Sequence, residues 1–268
     1  MTDAPAPDRR LLLSVVVPVR NEAPNLRPLI EEIGAALHAT PHEIVYVDDG
    51  STDDTPARLR ALQAKLAPAG HTLVLRRHRD SCGQSAAVLT GVRAASGTWI
   101  ATLDGDGQND PADIPALLAR AQALEADGGP RPVLLAGHRT TRRDTRTKRL
   151  ASRAANRIRA ALLHDATPDT GCGLKLVRRD AFLALPHFDH MHRYLPALVL
   201  RAGGRVESVP VNHRPRTRGV SNYGTLDRLW VGIFDLAGVA WLQRRWTRPT
   251  LDEQGLDDQG PDDQAPAA

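Results

Sequence analysis

A chain of 268 residues with 41% hydrophobic and 25% charged residues has an ordinary globular make-up, which excludes a disordered chain, a collagen and a polytopic membrane protein. Lys and Arg number 35 against 31 acids, so the net charge is only +4 and where the charges sit matters more than their sum. The two cysteines, Cys82 and Cys172, stand far apart with no ligand-type spacing, which argues against both a disulfide framework and a zinc site.

The opening residues, 1–10, have no apolar stretch before their charges; they read as a disordered end without a secretory signal, and the chain as cytosolic. Leu11 to Val17 is a short β-branched run, expected as a buried strand closed by Pro18. A helix is expected from Ala23 to His38, with Leu26, Leu29, Ile30, Ile33 and Leu37 at helical spacing. Glu43 to Val47 is a second strand, ending in Asp48-Asp49-Gly50-Ser51. Thr52 or Asp53 caps the helix that follows, Asp54 to Leu66. A strand at His71 to Leu75, a helix at Gln84 to Ala95 and a strand at Trp99 to Leu103 come next, then Asp104-Gly105-Asp106. A helix from Pro111 to Ala126 and a strand at Val133 to Ala136 continue the alternation. Strand and helix in turn predict an α/β fold: a mostly parallel, Rossmann-like sheet with helices on both faces. Ligands of such sheets bind beyond the carboxyl ends of the strands, where both acidic clusters fall.

Asp104 and Asp106, two carboxylates on a glycine turn followed by Gln108, suit one hard cation, Mg²⁺ or Mn²⁺, which would neutralise a departing diphosphate. Asp-Gly-Asp-Gly is equally an ordinary turn sequence. Asp48 and Asp49 suit a base or ribose hydroxyl, and equally a helix-capping turn. A nucleotide with its base at one cluster and its diphosphate at the other accounts for both. No Gly-x-Gly-x-x-Gly and no P-loop follows the first strand; Pro18-Val19-Arg20-Asn21-Glu22 occupies that turn.

Val15-Val16-Val17-Pro18 with Asn21-Glu22, Val47-Asp48-Asp49-Gly50-Ser51-Thr52-Asp53 and Asp104-Gly105-Asp106-Gly107-Gln108 together resemble glycosyltransferase family 2. More narrowly, the chain is similar to the dolichol- or polyprenyl-phosphate sugar transferases. Gly83-Gln84-Ser85-Ala86-Ala87, Asp169-Thr170-Gly171-Cys172-Gly173, His192 to Leu198, and Arg214 through Gly224 support this, in the family's order. The resemblance implies an A-type glycosyltransferase fold, inversion at the anomeric carbon and a GDP- or UDP-hexose donor, with mannose among the candidate sugars. It implies that Pro18, Asn21, Glu22, Asp48, Asp49, Gln84 and Asp104 bind the nucleotide sugar. Asp104, Asp106 and Gln108 would hold the metal, and Arg214 would face the donor diphosphate. Arg139, Lys148, Arg149 and Ser152 would hold an acceptor phosphate, so the catalytic set reads Asp104, Asp106, Arg139, Ser152 and Arg214. Many relatives carry Ser-Gly-Phe-Arg where this chain has Cys172-Gly173-Leu174-Lys175, and many carry membrane-spanning helices after the catalytic body.

Between Arg139 and Arg159 seven further basic residues meet one acid, Asp144. A lipid phosphate fits this stretch better than a plain solvated face, and nucleic acid fits least, because only 4% of residues are aromatic and no recognition motif appears. The catalytic domain is therefore expected over residues 11–225, followed at 226–249 by an amphipathic helix. Trp230, Ile233, Phe234, Ala237 and Trp241 share one face of that helix, and Arg228 and Asp235 lie opposite. The stretch is too short to span a bilayer and suits the membrane interface at the cytoplasmic side, or packing on the body or in an oligomer. Residues 250–268 carry six acids and no Lys or Arg, and read as a disordered tail. A polyprenyl phosphate acceptor is already ionised at neutral pH and needs no general base. A saccharide or glycolipid hydroxyl acceptor would need one, His192 or Asp169. A non-catalytic scaffold is opposed by intact Asp104, Asp106 and Gln108.

Overall fold

The computed structural model describes residues 11–67, 72–129, 131–139, 158–215, 225–245 and 247, except the side chains of 225–230. Its frame is a seven-stranded sheet: β1 (Leu13–Val19), β2 (His42–Asp49), β3 (Thr72–His78), β4 (Trp99–Thr102), β5 (Val133–Arg139), β6 (Lys175–Arg178) and β7 (Arg205–Val211), in the order β3-β2-β1-β4-β6-β5-β7. The strands run parallel except β6, which is antiparallel to both its neighbours. The helices are α1 (Leu26–Ala36), α2 (Thr55–Leu66), α3 (Gln84–Ala94), α4 (Ile114–Ala126), α5 (Arg179–Ala184), α6 (Leu195–Arg201) and α7 (Thr225–Arg244).

Alternation along the strands divides the core into two layers. Leu13, Val15 and Val17 of β1 point into one layer with Ile44 and Tyr46 of β2, under α1, α2 and α4. Val16, Val45 and Val47 point into the other, under α3, α5, α6 and α7. Burial on both faces is why β1 and β2 read as continuous apolar runs.

Pro18 does not close β1, as the sequence suggested; the strand continues to Val19, with Pro18 opposite Val47. Val16 O faces β4, accepting from Leu103 N at 3.1 Å, and β4 pairs no further than Thr102. Pro18 lies two residues on, on the same side, where no ladder bond is required of its missing N–H. α1 starts three residues later than expected, after a turn in which Asn21 takes φ 57°. β3 and β5 each run three residues beyond their expected ends.

The topology sets the site. The chain steps from β1 to β2 to β3 on one side, then crosses back to place β4 on the other side of β1. Ligand crevices of open α/β sheets form at such a reversal, beyond the carboxyl ends. Asp48 and Asp49 end β2, and Asp104 follows β4 by two residues. β6, running the opposite way, brings residues 171–175 to the same edge.

Close approach of α3 to the sheet depends on Gly91, where a Cβ would stand 2.4 Å from Val16 Cγ1 and 3.1 Å from Val47 Cγ2. Overpacking of this kind costs about 1–3 kcal/mol. Gly91→Ala is therefore expected to lower the urea midpoint without changing the slope of the transition, and an unchanged midpoint would refute this packing.

Candidate active site

The last sheet bond of β4 is Leu103 N to Val16 O, after which the chain turns at Gly105, packed against Val19 and the Pro18 carbonyl. This turn leaves Asp104 half-buried at the wall of a cavity. Its Oδ1 accepts from Gln84 Nε2 at 2.8 Å, at the first residue of α3. Gly173 lies directly against the carboxylate: a Cβ there would come within 2.3 Å of Asp104 Cγ. Burial, and then the charge of Asp106, push the Asp104 carboxyl above its ordinary value; Lys175, Gln84 and Arg139 act against that shift.

Lys175, at the start of β6, is 3% exposed and donates from Nζ to the Cys172 carbonyl. Burial lowers its pKa, and Cys172, Asp104 and Asp169 oppose that. Arg139, at the end of β5, is clamped by Asp169 through Nε at 2.6 Å and Nη2 at 2.7 Å, and the hydrogen bonds to this carboxylate keep its guanidinium firmly charged. His192 sits in the same wall. Ser85 Oγ accepts from His192 N at 3.2 Å and shares a second hydrogen bond of 2.7 Å with His192 Nδ1. Burial, with Lys175, Arg193 and His190 nearby, holds the His192 pKa well below 6.5 and the ring neutral. These groups line a cavity of about 290 Å³ together with Pro18 and Gln84. Asp104 is its one carboxylate among the described residues.

A second cavity, of about 420 Å³, is lined by Asp106, Gly107, Asn25, Leu29, Glu32 and Arg214. Asp106 Oδ1 accepts from Gln108 N at 3.0 Å, and Gln108 Nε2 donates to Arg214 O at 3.4 Å. Arg214 reaches Glu32 and Asp110, each at 2.7 Å. The predicted metal set is thus split between two cavities, Asp104 facing one and Asp106 the other. The two carboxylates still act on each other, since Asp106 raises the Asp104 pKa. Two repelling carboxylates and an amide, all oxygen donors, fit a hard divalent cation.

The other predicted residues have protein partners. Asn21 Oδ1 accepts from Thr52 N at 2.9 Å, and Glu22 N donates to Thr55 Oγ1 at 3.0 Å, joining the loop after β1 to the loop after β2. Asp48 Oδ1 accepts from Ser51 N at 2.9 Å, while Arg77 Nε stands 3.1 Å from Oδ2 without hydrogen-bond alignment. Asp49 accepts four bonds of 2.8–2.9 Å, from His78, Cys82, Ser81 and Gly83. Burial pushes its pKa up, but these donors outweigh burial and hold it below the ordinary value. Lys148, Arg149 and Ser152 lie outside the described residues. Sequence reading missed Lys175 and Asn109 as site residues. Buried Asn109 accepts from Asp104 N at 3.3 Å, donates to Cys172 Sγ at 3.7 Å and bridges to His213, fixing the aspartate turn to its neighbours.

A nucleotide-type α/β sheet with an Asp-x-Asp turn and a cavity holding Lys175 and Arg139 at its switch point defines a glycosyltransferase of the A-type fold. The chain belongs to Glycosyl transferase family 2, whose pattern it matches over residues 14–185. It is 37% identical over 252 residues to dodecaprenyl-phosphate galacturonate synthase of Rhizobium johnstonii, covering 91% of this chain and 70% of that protein. It is 34% identical over 227 residues to undecaprenyl-phosphate 4-deoxy-4-formamido-L-arabinose transferase of an Enterobacter species, covering 84% of this chain and 66% of that one. The chain thus spans about two thirds of the length of these relatives. In fold it is similar to glucosyl-3-phosphoglycerate synthase from Mycobacterium tuberculosis, solved with Mn²⁺, UDP-glucose and phosphoglyceric acid, with a TM-score of 0.56 at 20% identity over 87% of this chain and 79% of that one. A mannosyltransferase from Pyrobaculum calidifontis, solved with GDP-mannose and Mn²⁺, superposes with a TM-score of 0.54 at 20% identity over 92% and 68% of the two chains.

The Asp104 carboxyl yields a pH prediction. Its elevated pKa puts the acid limb of kcat/KM above the range of a free aspartate, since the limb reports the free enzyme. Gln84 favours the charged form, so Gln84→Leu raises that pKa further and moves the acid limb to higher pH. An unmoved limb would mean that another group titrates there.

Proposed function

We propose that this chain transfers a sugar, with inversion, from a nucleoside diphosphate donor to a polyprenyl phosphate at the cytoplasmic face of a membrane. The observation that carries this reading is the pairing of two cations, buried Lys175 and half-buried Arg139, with one carboxylate, Asp104, in a single cavity. A hydroxyl acceptor needs a base, and Asp169 is committed to Arg139. A phosphate acceptor needs only cations to bind and orient it, and it arrives ionised. Both relatives described above are named for transfer to a polyprenyl phosphate, which supports the same acceptor. Their sugars are galacturonate and a formamido-arabinose, so nothing favours the mannose that the family resemblance brought in.

Asp104, Asp106 and Gln108 would hold Mg²⁺ or Mn²⁺, which supplies charge neutralisation for the leaving diphosphate. Pro18 and Gln84 line the donor side, and Asp48 with the loop that Asp49 organises receives the nucleoside. Gln84 orients Asp104, Asp169 orients Arg139, and Ser85 fixes His192 in the wall. Labelled UDP- and GDP-sugars incubated with a short polyprenyl phosphate, or with the same prenol lacking phosphate, test the assignment. A glycosyl phosphate product is expected from the first acceptor alone, and Lys175→Met is expected to lower kcat/KM for it by about 100-fold. Equal transfer to the free alcohol would overturn the reading.

The membrane part of the proposal rests on α7. Leu236, Val239, Ala240 and Leu242 pack on the body, while Ile233, Phe234, Ala237 and Trp241 are exposed, Phe234 by 73% and Trp241 by 60%. Exposed Ile158 and Leu162 come from the helical residues 158–163, joined to α7 by Gln243 Nε2 bonding Leu163 O at 2.9 Å. No helix among the described residues is long and apolar enough to cross a membrane. Such a face, with Arg244 and Arg245 exposed at its end, suits the interface of an anionic bilayer. Phe234→Ser with Trp241→Ser is expected to abolish salt-resistant pelleting with anionic vesicles and to leave turnover on a short acceptor intact. Retained pelleting would make α7 an oligomer or packing element.

A further inference from the structure

We propose that Asp49, His78 and Cys82 form a binding site for a divalent cation of the Zn²⁺ class, distinct from the all-oxygen set at Asp104 and Asp106. One ligand atom from each of the three lies within 4.8 Å of the other two. Zinc holds carboxylate oxygen and imidazole nitrogen at about 2.0–2.2 Å and thiolate at about 2.3 Å, so its ligand atoms stand about 3.3–3.8 Å apart. Cys82 is the ligand with freedom to close on that spacing: its side chain is exposed, and its Sγ makes one hydrogen bond, to the Asp80 carbonyl at 3.4 Å. The other two ligands sit on rigid neighbours: Asp49 ends β2, and His78 is its register partner at the end of β3.

The surroundings are those that orient metal ligands. His78 Nε2 lies 2.9 Å from Thr90 Oγ1, fixing the ring plane from behind. Asp49 Oδ2 accepts from Ser81 Oγ and Gly83 N, fixing the carboxylate. In the metal-free chain the His78 Nδ1 proton is shared with Asp49 Oδ1 at 2.8 Å. The cation takes the place of that proton. The ring proton then resides on Nε2 and is donated to Thr90 Oγ1, while the Cys82 thiol gives its proton to solvent. One proton leaves per ion bound, and two negative ligands balance the ion's charge. Nitrogen and sulfur donors select a borderline-soft ion over Mg²⁺ or Mn²⁺, so the two sites divide the available metals by hardness. Sequence spacing argued against zinc because the two cysteines stand far apart; strand pairing instead sets Asp49, 29 residues before His78, beside His78.

Cobalt reports directly on the thiolate. The full chain, freed of metal, is titrated with Co²⁺ in the presence of excess Mg²⁺. We expect one thiolate-to-cobalt absorption band per chain, loss of that band on adding Zn²⁺, and release of one proton per ion in a weakly buffered indicator assay. Cys82→Ser is expected to lose the band while keeping the metal-free thermal midpoint of the parent, which separates ligand loss from misfolding. His78→Gln is expected to weaken Co²⁺ binding at least about 10-fold. No thiolate band in the parent chain, or the same band in Cys82→Ser, overturns the site.

Discussion

A carboxylate withdrawn from water must find compensating charge or hydrogen bonds, and the architecture around Asp104 follows from that requirement. The β4 strand ends just short of it, Gly105 lets the turn close on Pro18, and Gly173 leaves room for the carboxylate and nothing larger. Gln84 supplies the hydrogen bond, and Lys175 and Arg139 supply positive charge. Each comes from a different element: α3, β6 and β5. This half-buried charge therefore links the two halves of the sheet across the reversal between β1 and β4. Burying Lys175 without Asp104 beside it would be costly; with Asp169 behind Arg139, these charges offset one another in a cavity whose other walls include Pro18, Val88, Leu103 and Leu195.

The two acidic clusters look alike in sequence and play different parts in the structure. The first is mostly inward-facing: Asp49 is bound by four donors from the β3–α3 connection, and Asp48 caps its own turn. Its carboxylates shape the loops that flank the crevice. The second faces open space inside the fold: half-buried Asp104 and buried Asp106 each border a cavity. Both readings offered for such motifs, a capping turn and a ligand site, thus apply, one to each cluster more than the other.

The parallel half of the fold was legible because its strands are long apolar runs punctuated by Pro, Gly and Asp, with helices of clear periodicity between them. The antiparallel strand β6 and the edge strand β7 were not. β6 has four residues and alternates Lys175, Leu176, Val177 and Arg178, too short for a period to declare itself. β7 carries Arg205, Glu207 and Pro210 at the sheet edge. Missing β6 also hid Lys175 as a site residue, since only the reversed strand brings it opposite Thr102 and beside Asp104. Asn109 and Ser85 were hidden for another reason. Their partners lie 63 and 107 residues away, and short polar residues carry no periodic signal. Arg139, by contrast, was found in sequence, but its bidentate carboxylate partner was not anticipated.

The segment from His190 to Tyr194 ties the cavity to α7. His192 forms part of the cavity wall, and its neighbours reach the other way: His190 Nδ1 stands 3.2 Å from Asp235 Oδ2, and Tyr194 donates to the Gly232 carbonyl at 3.2 Å. His190 holds a left-handed backbone, φ 63°, which a residue with a side chain adopts only where its surroundings impose it. A single turn thus touches both the wall that holds His192 against Ser85 and the helix whose far face is apolar and exposed. Any force on α7 from a surface it rests on has a direct, short path to that wall. On the proposed function, an acceptor phosphate that arrives from a lipid phase and binds at Lys175 and Arg139 gives a reason for the surface-facing helix and the cavity wall to share this one turn.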